Sequence, residues 1–153
     1  TKEASLWQQE SLVCRLGTFS ASIPEITVTS IKESLAFYCD VLGFEKTYEG
    51  EDKDFSFISF YGSQLLLQEN SNEAWKKYEL EYPFGRGVNF SIETDDIDKL
   101  VSNLEKANIS LLCPLEERWY KKDNMEHGEK HFIVMDPDGY ILRFMQDLGQ
   151  KTI

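Results

Sequence analysis

The stretch DPDGYILRFMQD, residues 136–147, places a tight turn directly before a strand that carries an unexpected charge. DPDG is typical of a turn, because proline fixes one backbone angle and glycine accepts a left-handed conformation. The residues after Gly139 alternate, which predicts a strand with Leu142 and Phe144 on its buried face. Arg143 then lies on the opposite face, four residues past Gly139. A half-buried guanidinium there needs a carboxylate partner or a bound ligand.

The same order of elements occurs twice along the chain. In the first copy, the strand ITVT precedes the helix SIKESLAFYCDVLGF, which a capping box of Ser30 and Glu33 begins and Gly43 ends. Three predicted strands follow, FEKTYEG, DFSFISF and SQLLLQE, with a turn at Gly62 before the last. This copy therefore has the order βαβββ.

The second copy begins with the strand VNFSIE and the helix TDDIDKLVSNLEKAN, for which Thr94 or Asp95 is the predicted N-cap. The strands ISLLCPLEE, HFIVMD and YILRFMQ complete a second βαβββ unit. The polar and aromatic linker NSNEAWKKYELEYPFGRG joins the copies, and we expect a short helix in it over residues 74–78.

The repeated order predicts an α+β fold, in which two βαβββ modules pair their bare sheet faces into one curved mixed sheet with a cleft. We place an N-terminal extension at residues 1–22 and the folded domain at residues 23–148. Within the domain, module one spans 23–70, a linker 71–86 and module two 87–148, and residues 149–153 form a tail. The expected cleft is a natural place for a ligand.

Composition narrows the classes of function. The net charge of −11 and the lack of a basic stripe argue against nucleic-acid binding, whereas a cationic small ligand would be attracted. Three widely spaced cysteines without a CxxC motif suggest a reducing cytoplasm. No apolar run is long enough to span a membrane, and the first residues lack the features of a signal peptide.

Over about residues 23–148, the ordered set of NFSIETDDIDKL, the first helix and the closing DPDGYILRFMQ resembles the vicinal oxygen chelate superfamily. That superfamily includes glyoxalase I, extradiol dioxygenases and bleomycin-binding proteins. The resemblance implies four metal-ligand positions, which here hold Ile23, Leu66, Asn89 and Arg143. Such side chains cannot hold a catalytic divalent cation, which prefers carboxylates and imidazoles. We therefore expect no metal, no cofactor and no catalytic residues.

The bleomycin-resistance branch is the most similar part of the superfamily, because it shares the PEITVTSIKESLAFY pattern, a stretch like LEERWY and the terminal arginine. This resemblance implies a non-enzymatic, strand-exchanged homodimer that sequesters a cationic aromatic drug or metabolite in an interface cleft. The alternative is a metal-dependent enzyme of the glyoxalase or dioxygenase type with an atypical site. A regulatory or carrier module for an endogenous metabolite is a third class.

The candidate ligand contacts are aromatic side chains suited to stacking on planar rings and polar side chains on the predicted concave face. They are Trp119, Tyr120, Phe57, Phe60, Asn89, Ser91, Glu93 and Arg143. Trp119 and Tyr120 fall in a predicted loop. Arg143 could instead form an internal ion pair with Glu25 or Glu93. We interpret His127 and His131 as a loop histidine and a strand-start histidine, because HGEKH lacks the spacing of a helical zinc motif.

Overall fold

The structure, a computed structural model, describes residues 20–153, and most of the predicted extension and Cys14 lie outside that range. The described chain forms two compact units. The first comprises residues 20–32 and Phe44–Trp75, and the second comprises Glu33–Gly43 and Lys76–Ile153. Each unit holds one four-stranded mixed sheet, which confirms the α+β class and the repeated βαβββ order. The cleft and the strand-exchanged dimer stay predictions.

The first sheet contains β1 (Glu25–Val28), β2 (Glu45–Glu49), β3 (Phe55–Phe60) and β4 (Ser63–Glu69) in the order β1-β4-β3-β2. β1 runs parallel to β4, and the other pairs are antiparallel. Tyr61 and Gly62 both have positive φ, which gives the two-residue hairpin between β3 and β4 its tight form. The strands predicted for the first module are confirmed.

Both faces of the first sheet are apolar. On one face Phe55, Phe57 and Leu66 form a buried cluster, against which Ile23 and Tyr48 pack. The residues that alternate with them are also buried, namely Ile26, Val28, Ile58, Leu65 and Leu67. Nearly continuous apolar strands are what a sheet buried on both faces requires.

The first helix, α1 (Ile31–Leu35), continues as a π-helical segment, Ala36–Val41. Gly43 ends it in the left-handed conformation (φ +87°), as predicted. From Glu33 onward the helix belongs to the second unit, although in sequence it lies between β1 and β2 of the first. Its Phe37 and Tyr38 are buried.

The second sheet contains β5 (Asn89–Glu93), β6 (Cys113–Lys122), β7 (Met125–Met135) and β8 (Ile141–Thr152) in the order β5-β8-β7-β6. Between β5 and β6 lies α2 (Ile97–Lys106), whose N-cap is Asp96 rather than Thr94 or Asp95. The Asp96 carboxylate accepts the Lys99 N–H at 3.1 Å. One sheet face carries fully buried apolar residues, Phe132, Val134, Leu142 and Phe144.

Three local predictions differ from the structure. Residues 74–78 form bends and irregular chain and not a helix. The predicted loop over residues 119–130 is a hairpin of β6 and β7, whose residues pair in regular antiparallel register across the turn at 123–124. β8 continues through Thr152, so residues 149–152 of the predicted tail are paired with β7. No helix within residues 20–153 is long and apolar enough to cross a membrane.

Candidate functional site

The predicted polar face lies on β5 and β8 of the second unit. Parallel pairing sets Ser91 beside Arg143, with Asn89 and Glu93 one step to either side on the same face. Asn89, Ser91 and Glu93 are exposed, and Arg143 is half-buried. Four of the eight predicted site residues are therefore neighbours on one sheet face.

Arg143 is held by β7, the other neighbour of β8. Its Nη2 donates to Glu129 Oε1 at 2.5 Å and lies 3.2 Å from His131 Nδ1. Glu129 and His131 are both buried, so the guanidinium compensates a carboxylate that burial would otherwise penalise. Arg143 pairs with Glu129 and not with the expected Glu25 or Glu93, because β7 and β8 pair in regular register from Glu129 to Met135, which sets Glu129 and His131 on the face of Arg143.

The contacts of Arg143 continue across the sheet to β6. His131 Nε2 lies 3.5 Å from Glu116 Oε2, which also accepts from Arg118 Nη2 at 2.8 Å. The Arg118 hydrogen bond and charge lower the pKa of Glu116 below its ordinary value. We call these five residues the charged network: Arg143, Glu129, His131, Glu116 and Arg118. His131 was predicted at the start of a strand, but it lies in the middle of β7.

Trp119 and Tyr120 lie on β6 and not in a loop. Alternation puts Trp119 on the face opposite Glu116 and Arg118. There its ring covers Gly128, where an added Cβ would lie 2.6 Å from ring carbons. The Lys151 ammonium lies 3.9 Å from the Trp119 ring centroid, in cation–π geometry. Trp119 therefore packs on its own hairpin, whereas the exposed Tyr120 shares the face of the charged network.

Phe57 and Phe60 lie in the first unit, on opposite faces of β3. Phe57 stacks on Tyr48 with ring centroids 5.4 Å apart, and Phe60 stacks on Phe44 at 4.8 Å. Both phenylalanines are buried. The structure does not bring the two rings to one surface, because residues three apart in a strand point in opposite directions.

The four positions that the resemblance assigns to a metal offer no suitable set of ligands. In the first unit, Ile23 and Leu66 belong to the apolar cluster of Phe55 and Phe57. In the second, Asn89 is exposed and Arg143 brings a positive charge. Divalent cations require anionic or imidazole donors, so these side chains do not fit a catalytic metal.

A second buried polar contact holds the DPDG turn. The Asp136 carboxylate accepts the backbone N–H groups of Asp138 and Tyr140, each at 2.9 Å, and the Tyr38 hydroxyl at 2.8 Å. Burial outweighs these hydrogen bonds and raises the pKa of Asp136 to about 6. Tyr38 belongs to the π-helical segment that continues α1, so this contact ties that segment to the turn that starts β8.

Sequence reasoning missed Glu116, Glu129 and the Tyr38–Asp136 contact. Glu129 and Arg143 lie 14 positions apart, and Tyr38 and Asp136 lie 98 apart. No local pattern reports such pairs.

Comparisons with known proteins agree with this architecture. Residues 20–144 match the family described as Glyoxalase/Bleomycin resistance protein/Dioxygenase superfamily. Proteins named bleomycin resistance protein from Geobacillus stearothermophilus and Staphylococcus aureus are 30% identical to the chain over 138 residues. The match covers 83% of this chain and 96% of each relative.

Solved structures show the same fold at low identity. A glyoxalase/bleomycin resistance protein/dioxygenase from Alicyclobacillus acidocaldarius is 21% identical with a TM-score of 0.57, covering 84% of this chain and 92% of that one. TioX from Micromonospora sp. ML1 is 16% identical with a TM-score of 0.60, covering 83% and 95%. Lactoylglutathione lyase from Agrobacterium tumefaciens is 18% identical with a TM-score of 0.55, covering 83% and 92%. These structures support the fold alone.

Proposed function

The chain belongs to the glyoxalase/bleomycin resistance protein/dioxygenase superfamily, and we propose that it binds a small molecule without converting it. One observation carries the proposal: the metal-ligand positions of the enzymes hold Ile23, Leu66, Asn89 and Arg143. The similarity to bleomycin resistance proteins over nearly their whole length supports the same conclusion. Binding alone suffices for a protein that lowers the free concentration of a toxic compound.

The proposed binding surface is the polar face of β5 and β8. Asn89 and Ser91 provide exposed hydrogen-bonding groups, and Glu93 provides an exposed carboxylate. Tyr120, on the face of the charged network, provides an aromatic ring. A cationic compound with planar rings, such as bleomycin, matches these groups and the net charge of −11.

Arg143 has a supporting role in this proposal. Its pairing with Glu129 and His131 holds the guanidinium in one orientation beside Ser91. A side chain fixed before binding loses little conformational entropy when a ligand arrives. A homodimer would provide two such surfaces. Three widely spaced cysteines without a CxxC motif suit a reducing cytoplasm.

Calorimetry with metal-free bleomycin tests the proposal directly. The protein is first treated with a chelator to remove bound metal. Calorimetry is preferred to tryptophan fluorescence, because Trp119 lies on the other face of the sheet. We expect saturable binding of one ligand per chain. Glu93→Gln should weaken affinity about tenfold, because the ligand loses its attraction to the carboxylate. A tenfold change corresponds to about 1.4 kcal/mol of binding free energy. The matched control Glu105→Gln, at an exposed position of α2, should bind like the unaltered protein.

The fate of the ligand separates binding from catalysis. After prolonged incubation with and without added divalent metals, the recovered compound is analysed by mass spectrometry. Recovery of unchanged bleomycin supports sequestration, whereas a new mass that depends on protein would establish the enzyme alternative. A flat calorimetric trace would overturn the assignment of bleomycin as the ligand.

A further inference from the structure

A β-bulge in β6 brings the side chains of Cys113 and Glu116 close to that of His131 on β7, and all three are residue types that bind metals. Cys113 pairs with Ile133, and Glu116 pairs with His131. Between these two pairs, β6 has two residues and β7 has only one. In a regular strand, Cys113 and Glu116 would face opposite sides, because they are three positions apart. The extra residue, next to Pro114, turns Cys113 toward the face of Glu116 and His131.

The three ligand atoms are close together. Cys113 Sγ, one His131 ring nitrogen and one Glu116 carboxylate oxygen all lie within 4.8 Å of one another. His131 Nε2 and Glu116 Oε2 are 3.5 Å apart. Around tetrahedral zinc, with bonds of about 2.0–2.3 Å, ligand atoms are separated by about 3.3–3.8 Å. The nitrogen–oxygen spacing already fits, and the half-buried Cys113 Sγ, within 4.8 Å of both atoms, would have to move closer to them when zinc binds.

We propose that Cys113, Glu116 and His131 form a zinc site with three protein ligands and one open position. A thiolate, an imidazole and a carboxylate are the donor types that zinc accepts. This site differs from the four positions that the superfamily resemblance assigns to a metal, and it needs no bound drug. Among residues 20–153, it is the one group of three such ligands that meets at this distance.

Glu129 completes the site by orienting the imidazole. Its Oε1 lies 3.4 Å from His131 Nδ1, on the ring edge away from Glu116. In the metal-free protein Arg143 donates to Nδ1, because a guanidinium can only donate. When zinc binds Nε2, the ring proton would move to Nδ1 and be donated to Glu129, while Arg143 would give up Nδ1 and keep its hydrogen bond to Glu129. This is the carboxylate–histidine–metal arrangement that raises the basicity of a ligand.

The neighbouring arginines do not prevent binding. Arg118 pairs with Glu116 at a half-exposed position, where an ion pair adds little stability and exchanges readily. Arg143 is neutralised by Glu129 and lies on the Nδ1 side of the ring, away from the metal. The thiolate and the Glu116 carboxylate provide two negative charges, which balance the zinc cation.

Cobalt and zinc titrations of the full chain test the site without any drug. In chelator-treated, reduced protein we expect one Co²⁺ per chain, with a near-ultraviolet thiolate charge-transfer band that an equivalent of Zn²⁺ removes. Cys113→Ser should lose the band, and Glu116→Gln should weaken zinc binding by at least about tenfold. Glu129→Gln should weaken it about 10–100-fold, the usual effect of removing the group that orients a ligand.

Matched controls use the other described cysteine and histidine. Cys39→Ser, on the π-helical segment after α1, and His127→Gln, paired with Asp147, should keep the band and the affinity. Zinc should raise the melting temperature of the unaltered chain and of these controls, but not that of Cys113→Ser. A band that survives Cys113→Ser, or one that Cys39→Ser abolishes, would overturn the proposal, as would the lack of saturable zinc binding.

Discussion

The two copies of the βαβββ order differ most at one equivalent position. Leu66 and Arg143 each lie four residues past a turn glycine, Gly62 or Gly139, on the last strand of their sheet. Leu66 is fully buried among phenylalanines, whereas Arg143 joins the charged network. One topology therefore holds an apolar sheet in the first unit and a sheet with a polar face in the second. The backbone order does not dictate the chemistry of the face.

The turns before these strands show the same contrast. Between β3 and β4, Tyr61 and Gly62 reverse the chain with two positive φ angles, and the Tyr61 side chain is 65% exposed. Before β8, the buried Asp136 carboxylate accepts two backbone N–H groups of the turn itself. The first turn is set by backbone conformation, and the second by a buried side chain that can titrate.

The largest effect is expected in the apolar copy. Leu66→Ala should lower the free energy of unfolding by about 2–5 kcal/mol, because it leaves a cavity among packed phenylalanines. Urea denaturation measures the change. Leu112→Ala, at a position 56% exposed in the second unit, should change stability by less than about 0.5 kcal/mol. Equal losses would mean that the first sheet is not a rigid core.

The titratable turn gives the second prediction. The pKa of Asp136 is raised from 3.8 to about 6, so the folded chain retains a proton that the unfolded chain releases at the same pH. Its contribution to stability is therefore full below about pH 4 and falls as pH rises through about 6, by at most about 3 kcal/mol. Asp136→Asn should remove this fall in denaturation series between pH 4 and 7, and the exposed Asp98→Asn should keep it. If the free energy of unfolding depended on pH in the same way for Asp136→Asn and for the unaltered chain, the prediction would be contradicted.

The third prediction concerns the ion pair between Arg143 and Glu129 in the second copy. Arg143→Leu should cost about 2–3 kcal/mol, because Glu129 is left as a buried, unpaired carboxylate. Adding Glu129→Leu should recover most of the loss, giving a coupling of about 1–3 kcal/mol in a double-mutant cycle. The exposed pair Lys46–Glu49 of the first unit should couple by less than about 0.5 kcal/mol. Similar couplings would remove the distinction between the copies.

The smallest effect concerns the π-helical segment after α1. Tyr38→Phe should lower the free energy of unfolding by about 1–2 kcal/mol, because Asp136 loses a buried hydrogen bond. The mutation also removes a donor from the carboxylate, so the pKa of Asp136 should rise further. Tyr78→Phe, at a position 76% exposed, should leave both quantities unchanged in the same denaturation series. An unaltered stability in Tyr38→Phe would show that packing alone holds the helix.

Local patterns were sufficient for the repeated architecture. A short apolar run located β4, alternation located the start of β8, and Gly43 located the end of the first helix, because each signal depends on adjacent residues. The face shared by Asn89, Ser91 and Arg143 followed from the same period of two.

The rest of the site depends on pairing across strands. The sequence does not show the bulge that turns Cys113 toward His131, because it is defined by the pairing of β6 with β7. One extra residue moves the side chains that follow it to the opposite face of the sheet. The contact of Trp119 with Gly128 likewise depends on how β6 pairs with β7, which the sequence does not show. The assignment of the helix segment Glu33–Gly43 to the second unit requires contacts between distant parts of the chain.

That assignment also bears on how the chain is synthesised. Tyr38 leaves the ribosome 98 residues before Asp136, its partner in the DPDG turn. At about 5–20 residues per second, the helix waits about 5–20 s for that turn to be made. During this interval Phe37 and Tyr38 lack the contacts that bury them in the finished unit. The nascent chain thus exposes an apolar segment that a chaperone can recognise until the DPDG turn has been synthesised.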